Sequence, residues 1–205
     1  EGLLKDGQRI EDVLIRPRAS VAEDAAQYGG ARSVVTPEQD AAYMRAVESG
    51  DMATAQKMVD EAAKAAGYRQ KAYHSTDNEF TSFDPRRLGE STARNSPPEQ
   101  GMSLAKLGFW FHQKPLSKVI GQKHDLEVYL KLAEPTETTF DELWDNPVIE
   151  NDSAIVQDTE FGGVSYIVKD PSQIKSADPV TRDDAGRVIP LSERFNPDRD
   201  DILHE

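Results

Sequence analysis

Gln70-Lys71-Ala72-Tyr73-His74-Ser75-Thr76, followed by Asp77-Asn78-Glu79-Phe80-Thr81-Ser82-Phe83-Asp84, is the stretch from which the rest of the chain is read. Gln70 to Tyr73 has the character of a short strand and delivers His74 at its end. Two small hydroxyl residues follow, then a polar turn, then Phe80 and Phe83 spaced three apart. The pattern is that of a polar group held at the mouth of a cleft by a hydrophobic clasp just downstream. A plain strand and turn with a satisfied histidine has the same local signature, so the stretch draws its meaning from what lies further along.

Downstream, Leu107-Gly108-Phe109-Trp110-Phe111 reads as a compact aromatic strand. Pro115 opens a short helix through Ile120. Leu126 to Leu132 alternates apolar and polar residues as a half-buried strand does, and Pro135 stops it. Phe140 to Trp144 is a turn of helix. Ser153 to Val156 and Val164 to Val168 are two more strands, and Asp170-Pro171 turns the chain out of the sheet. Asp183-Asp184-Ala185-Gly186 is a hairpin-type turn. Gly89 to Gly101 has no periodicity and reads as a loop.

Upstream, Thr36-Pro37-Glu38-Gln39 supplies an N-cap, a proline at N1 and a capping-box partner at N3 for a helix to about Glu48. Asp51 caps a second helix, Met52 to about Ala66, ended by Gly67. Its Met52, Ala55, Met58, Val59, Ala62, Ala63 and Ala66 form one apolar stripe, expected to pack on the domain that follows. The division expected is an arm or linker over 1–35, a helical hairpin over 36–67, the main domain over 68–180 and a C-terminal tail over 181–205, polar and loosely held from Arg194 to Glu205. The fold class is α+β.

The chain has 205 residues, no cysteine and a formal charge of −13, with an isoelectric point near 4.8. Disulfides, zinc–thiolate sites and thiol catalysis are thereby excluded. The charge argues against a general grip on nucleic acid or anionic lipid. No apolar run approaches the roughly 20 residues of a membrane-spanning helix. The expectation is a soluble protein with no membrane partner; the first residue, Glu1, reads as the start of a piece of something larger. His112 and His124 lack a metal-ligand pattern with Asp or Glu, His204 lies in the tail, and no Gly-rich phosphate loop follows a strand.

Three stretches in order carry a resemblance: Tyr73-His74-Ser75-Thr76; Gly108-Phe109-Trp110-Phe111 followed by Ser117; and Tyr166-Ile167-Val168-Lys169-Asp170-Pro171-Ser172-Gln173-Ile174. With them the chain resembles the ADP-ribosyltransferase fold, on the branch shared by diphtheria-type toxins and poly(ADP-ribose) polymerases. It is most similar to domains embedded in phage-derived polyvalent proteins and polymorphic toxins. There a helical stretch like Thr36 to Tyr68 leads into the histidine strand, and segments like Gln173 to Ala177 and Ile189 to Asn196 close the domain. The resemblance implies a split β-sandwich with an N-terminal helical hairpin, NAD as substrate, and a site between two small sheets. It implies that His74 bonds the adenosine ribose and that Ser75 and Thr76 hold the nicotinamide amide. Phe109 and Phe111 would flank the cationic nicotinamide ring, a contact suited to aromatic faces. Phe83, Ser117 and Gln173 complete the binding set.

The third stretch departs from the family pattern. Many members carry a glutamate just before the Tyr-hydrophobic-Val run, bonded to the nicotinamide ribose; here that residue is Ser165. Breaking the nicotinamide–ribose bond builds positive charge on the sugar, which a carboxylate stabilises and a serine does not. Glu160, Asp158 and Asp152 are the nearby carboxylates, with Glu160 preferred as surrogate, and Gln173 is a neutral substitute. The catalytic set expected is therefore His74, Ser165 and Glu160. Arg86-Arg87 either reach the NAD pyrophosphate or stay solvated.

The resulting expectation is a mono-ADP-ribosyltransferase of toxin or effector type, with a protein acceptor favoured over nucleic acid. A cognate inhibitor or immunity protein, and delivery into a target cell or association with phage, follow from the same resemblance. The alternative is a catalytically silent NAD-binding or interaction module, which Ser165 favours. A third reading makes the helical prefix the working part, docking a partner.

Overall fold

Thr36 caps the first described helix as its sequence requires. Its hydroxyl accepts from the Gln39 N–H while the Gln39 side chain accepts from the Thr36 N–H, a complete capping box over α1 (Pro37–Glu48). Asp51 caps α2 (Met52–Ala65) through the N–H and hydroxyl of Thr54, and Gly67, at φ +91°, ends it. The computed structural model describes residues 35–90, 103–158 and 163–198. These all belong to the unit Ser33–Glu205.

The protein is mixed α+β, built on a seven-stranded sheet. Its strands are β1 (Gln70–Thr76), β2 (Phe109–His112), β3 (His124–Leu130), β4 (Thr136–Thr139), β5 (Ser153–Asp158), β6 (Gly163–Val168) and β7 (Ile174–Ser176). They lie in the order β4-β5-β6-β2-β1-β3-β7, antiparallel throughout except for the β4–β5 pair. Short helices α3 (Ser117–Ile120), α4 (Phe140–Asp145) and α5 (Leu191–Arg194) sit between or after the strands. Where two sheets were expected there is one, but it has a seam. The β1–β3 ladder runs from Gln70 to Thr76 and the β2–β6 ladder from Phe109 to His112, yet β1 and β2 are joined by the single pair Tyr73↔His112.

Side-chain alternation sorts three apolar clusters. On one face, Ala72, Phe109, Phe111, Val128, Leu130, Tyr166, Val168 and Ile174 pack beneath Phe83. On the other, Ala154, Val156 and Ile167 pack with Leu143 of α4, Leu104 and Ile149. The helical hairpin covers the β3 end: Tyr43, Ala55, Val59, Ala62 and Ala63 meet Tyr129, Ala177, Leu191 and Phe195. The hairpin therefore spends its apolar stripe on the sheet, though Met52 at the first turn is exposed.

The start of the expected loose tail is instead part of that core, while residues 199–205 lie outside the described residues. Leu191 and Phe195 are buried among the hairpin residues, and Arg194 is buried with them. The Arg194 guanidinium donates to the Tyr43 hydroxyl at 3.2 Å and to the carbonyls of Pro179, Ser176 and Asp178 at 3.2, 3.3 and 2.6 Å. The Asp183–Gly186 turn forms as expected, with Asp183 and Arg187 paired and a bridge from Arg182 to Val188. A charge-rich segment looked loose because one of its partners, Tyr43 on α1, lies 151 residues away in sequence.

Gly108 marks where β2 enters the sheet. A Cβ built there would lie 2.5 Å from the Val168 carbonyl oxygen and 2.8 Å from Ile167 Cγ2. Backbone cannot yield that far without losing the Phe109↔Val168 pair. Gly108→Ala is expected to destabilise by about 2 kcal/mol, the cost of overpacking a filled site, as read from the shift in urea midpoint. An unchanged midpoint would mean that β2 tolerates displacement.

Candidate functional site

His74 stands at the seam. Carrying the β1–β2 register beyond Tyr73↔His112 would set His74 opposite Phe111 and Ser75 opposite Trp110, but the ladder stops and the strands part. The imidazole fills the opening: its Nδ1 is 2.9 Å from the Trp110 carbonyl oxygen. A carbonyl only accepts, so Nδ1 carries the hydrogen and the neutral ring keeps its lone pair on Nε2. Burial holds the imidazole below the usual histidine range, and the charge of His112 pushes the same way, against the bond to Trp110. The ring is gripped by aromatic edges, with centroids of Phe83, Phe111 and Phe80 at 5.0, 5.5 and 6.0 Å.

The clasp read from the sequence thus exists, and Phe83 is its hub. It meets His74, Phe80, Phe109 and Phe111, all at centroid distances of 5.0 to 5.4 Å. Phe109 and Phe111 point to the same side of β2 and are buried in the cluster beneath it, Phe111 completely. They are core residues, and neither offers an open ring face to a ligand. The residue of this trio facing the other way is Trp110, whose indole N–H donates to the Leu104 carbonyl at 3.0 Å.

Ser75 and Ser117 converge on a residue that the sequence did not single out. Asp125, opposite Ser75 in the β1–β3 ladder, accepts from the hydroxyls of Ser75 and Ser117, each at 2.5 Å. It also accepts from the N–H groups of Leu116 and Ser117 at 3.1 and 3.0 Å, which caps the first turn of α3 from outside the helix. Burial pushes the carboxyl up, but these donors outweigh it and hold it below its usual 3.8. Beside this knot Gln122, whose N–H donates to the Ser117 carbonyl at 2.7 Å, has a buried Oε1 with no hydrogen-bond partner.

Ser165 lies across the seam. The residues Tyr73, His112, Ser165 and Val156 form one row over β1, β2, β6 and β5. Ser165 is buried, and its hydroxyl is 3.0 Å from Nδ1 of the half-buried His112. His112, which has no metal-ligand pattern in the sequence, is thereby held on the same row as Ser165. A histidine three residues after a buried aromatic on a strand was the available signal; its partner on β6 was not visible without the register.

Other expected site residues fall elsewhere. Thr76 is buried and accepts from the Asn78 N–H at 3.1 Å, closing the turn after β1. Gln173 is occupied at both ends: its carbonyl accepts from the Asp170 N–H and its amide donates to the Lys131 carbonyl. It caps the turn before β7, with both ends of its amide bonded to backbone. Asp152 immediately precedes β5, four residues from Val156 and so roughly 13 Å along the chain from the Ser165 row. Its distance removes it as a surrogate acid. Asp158 ends β5, and Glu160 lies outside the described residues. Arg86 is paired with Asp84 at 2.8 Å and Arg87 with Glu90 at 3.0 Å, both exposed, as the solvated reading has it.

Among the described residues no group of His, Asp or Glu is arranged to hold a metal ion, and no helix is long and apolar enough to cross a membrane. No family model, curated protein or solved structure matches the chain.

Proposed function

We propose that the domain binds NAD at the β1–β2 seam and transfers its ADP-ribose to a macromolecular acceptor, in a site of the ADP-ribosyltransferase type. The observation that carries this reading is adjacency. The three stretches behind the resemblance lie on neighbouring strands, β6, β2 and β1, and the sheet opens where they meet. A split between two half-sheets is the feature the resemblance calls for, and the one-pair seam supports it.

The adenosine end of NAD is served by His74, whose tautomer leaves Nε2 to accept from a ribose hydroxyl. The carboxamide of nicotinamide suits the corner by Ser75 and Ser117, where the unpartnered Gln122 Oε1 matches an amide N–H₂. The acceptor is read as a protein, because a charge of −13 disfavours a nucleic-acid surface. A dedicated inhibitor and a toxin or effector setting belong to the same proposal.

Titration calorimetry with NAD tests it. The parent chain is expected to bind, and His74→Ala to bind at least tenfold more weakly, about 1.4 kcal/mol for one lost hydrogen bond and its positioning. Equal binding by a folded His74→Ala variant would show that the site is misassigned. A second reading, a silent NAD-binding module, is favoured by Ser165, which is buried and supplies no charge. Binding without release of nicotinamide would identify it.

A further inference from the structure

We infer that the connection between β2 and β3, residues 113–123, is a docking platform for an acidic segment of a protein partner, one with an apolar side chain among its carboxylates. The platform needs no NAD and stands or falls apart from the transferase reading.

Its charge runs against that of the chain. The connection carries Lys114, Lys118 and Lys123 and no carboxylate, while the whole chain has a formal charge of −13. All three lysines are exposed, and among the described residues none of them takes part in an ion pair. Between them in sequence, Val119 and Ile120 on α3 are 69% and 37% exposed, and Val119 is the most exposed large apolar side chain among the described residues. One exposed valine would mean little. An adjacent apolar pair flanked by cations has the make-up of a small interface, with an apolar centre and a charged rim.

The connection is also held in place, which spares a partner the entropy of ordering it. Asp125 accepts from the N–H groups of Leu116 and Ser117 at 3.1 and 3.0 Å and from the Ser117 hydroxyl at 2.5 Å. At the far end the Lys123 N–H donates to the Asp77 carboxylate at 3.0 Å. Gly121, at φ +73°, ends α3, and a Cβ built on it would meet nothing within 4 Å. The apolar pair thus sits beside open space on a fixed base.

Charge complementarity calls for an anionic partner, and the acidity of the remaining chain selects among anions. A lipid bilayer or a nucleic-acid backbone presents an extended field of negative charge, which the acidic remainder would repel. A peptide segment can lie on the connection alone. Val119 and Ile120 favour the same partner, since phosphate and sugar give them little to pack on. A two-fold contact with a second copy would set these lysines against each other.

Fluorescence anisotropy with the full chain and a labelled peptide of glutamates, with leucine at every fourth position, tests the platform. The parent is expected to bind in the micromolar range, as small interfaces do, and to bind about threefold more weakly at about 300 mM salt than at about 50 mM. Reversing the three charges (Lys114→Glu, Lys118→Glu and Lys123→Glu together) is expected to weaken binding at least about tenfold. Glutamine at the same three positions should give a smaller loss, and Val119→Ser with Ile120→Ser a loss of about fivefold. A parent that does not bind the peptide, or a charge-reversed variant that binds it equally, overturns the inference. Tighter binding to oligothymidylate, or to vesicles of phosphatidylcholine and phosphatidylserine, than to the peptide overturns it as well.

Discussion

Arg194→Ala is expected to lower the free energy of unfolding by about 3–4 kcal/mol, measured by urea titration with the parent alongside. The guanidinium is buried and reaches four acceptors, one hydroxyl and three main-chain carbonyls. Hydrogen bonds made by a charged donor contribute about 1.5–3 kcal/mol each in net terms, and their values do not add. The 2.6 Å bond to the Asp178 carbonyl is the shortest and the most exposed to loss. Tyr43 keeps a partner in the variant, because its hydroxyl also donates to the Pro179 carbonyl at 2.9 Å. That backup is why the expected cost stays below the sum of four bonds. Arg194→Lys should recover less than half of the loss, since an ammonium lacks the planar fork that spans these acceptors. Should Arg194→Ala melt with the parent, the last helix would be an accessory and the sequence reading of a loose tail would be right after all.

Asp125→Ala is the second large effect, about 3 kcal/mol, because one truncation strands two hydroxyls and two N–H groups. Asp125→Asn should cost only about 1 kcal/mol. Its carbonyl can face the Leu116 and Ser117 N–H groups, while the Ser117 hydroxyl turns to accept from the amide. The carboxyl of Asp125 is held below its usual 3.8 in the folded state. Its contribution is therefore present above about pH 4 and lost as the pH falls through the lower, folded value. Urea midpoints at pH 7 and pH 3 should converge for parent and Asp125→Asn at the acid end. If the gap between them is the same at both pH values, the carboxylate is not what ties β1, α3 and β3.

These two residues also show which parts of the molecule were legible in advance. Local rules worked where the physics is local. The Thr36–Gln39 capping box, the Asp51 cap and the strands around Tyr73, Val128 and Tyr166 stand where cap chemistry and alternation put them. The Phe80–Phe83 clasp was readable too, because three-residue spacing after a strand leaves few places for two rings to go. What could not be read was pairing over distance. Asp125 sits in an ordinary polar start to a strand, and only the β1–β3 register sets it against Ser75. Arg194 and Tyr43 are 151 positions apart. The alternating Phe109-Trp110-Phe111 run was assigned by resemblance to a ligand wall, while burial on both sides of the sheet shows that the two phenylalanines serve the core. Gln173, in the binding set by resemblance, has a spacing from Asp170 that completes a capping box.

The single pair that joins β1 to β2 has a mechanical consequence. Resistance to bending across a sheet comes from the bonds that cross each line between strands, and the β1–β2 ladder here is a single residue pair, with the His74 imidazole bonded across it to the Trp110 carbonyl. The two halves are hung as covers on a spine, with the His74 ring acting as the stitch that sets how far they stand apart. A guest that competes for that ring loosens the stitch it depends on, so seating it and flexing the sheet become a single event.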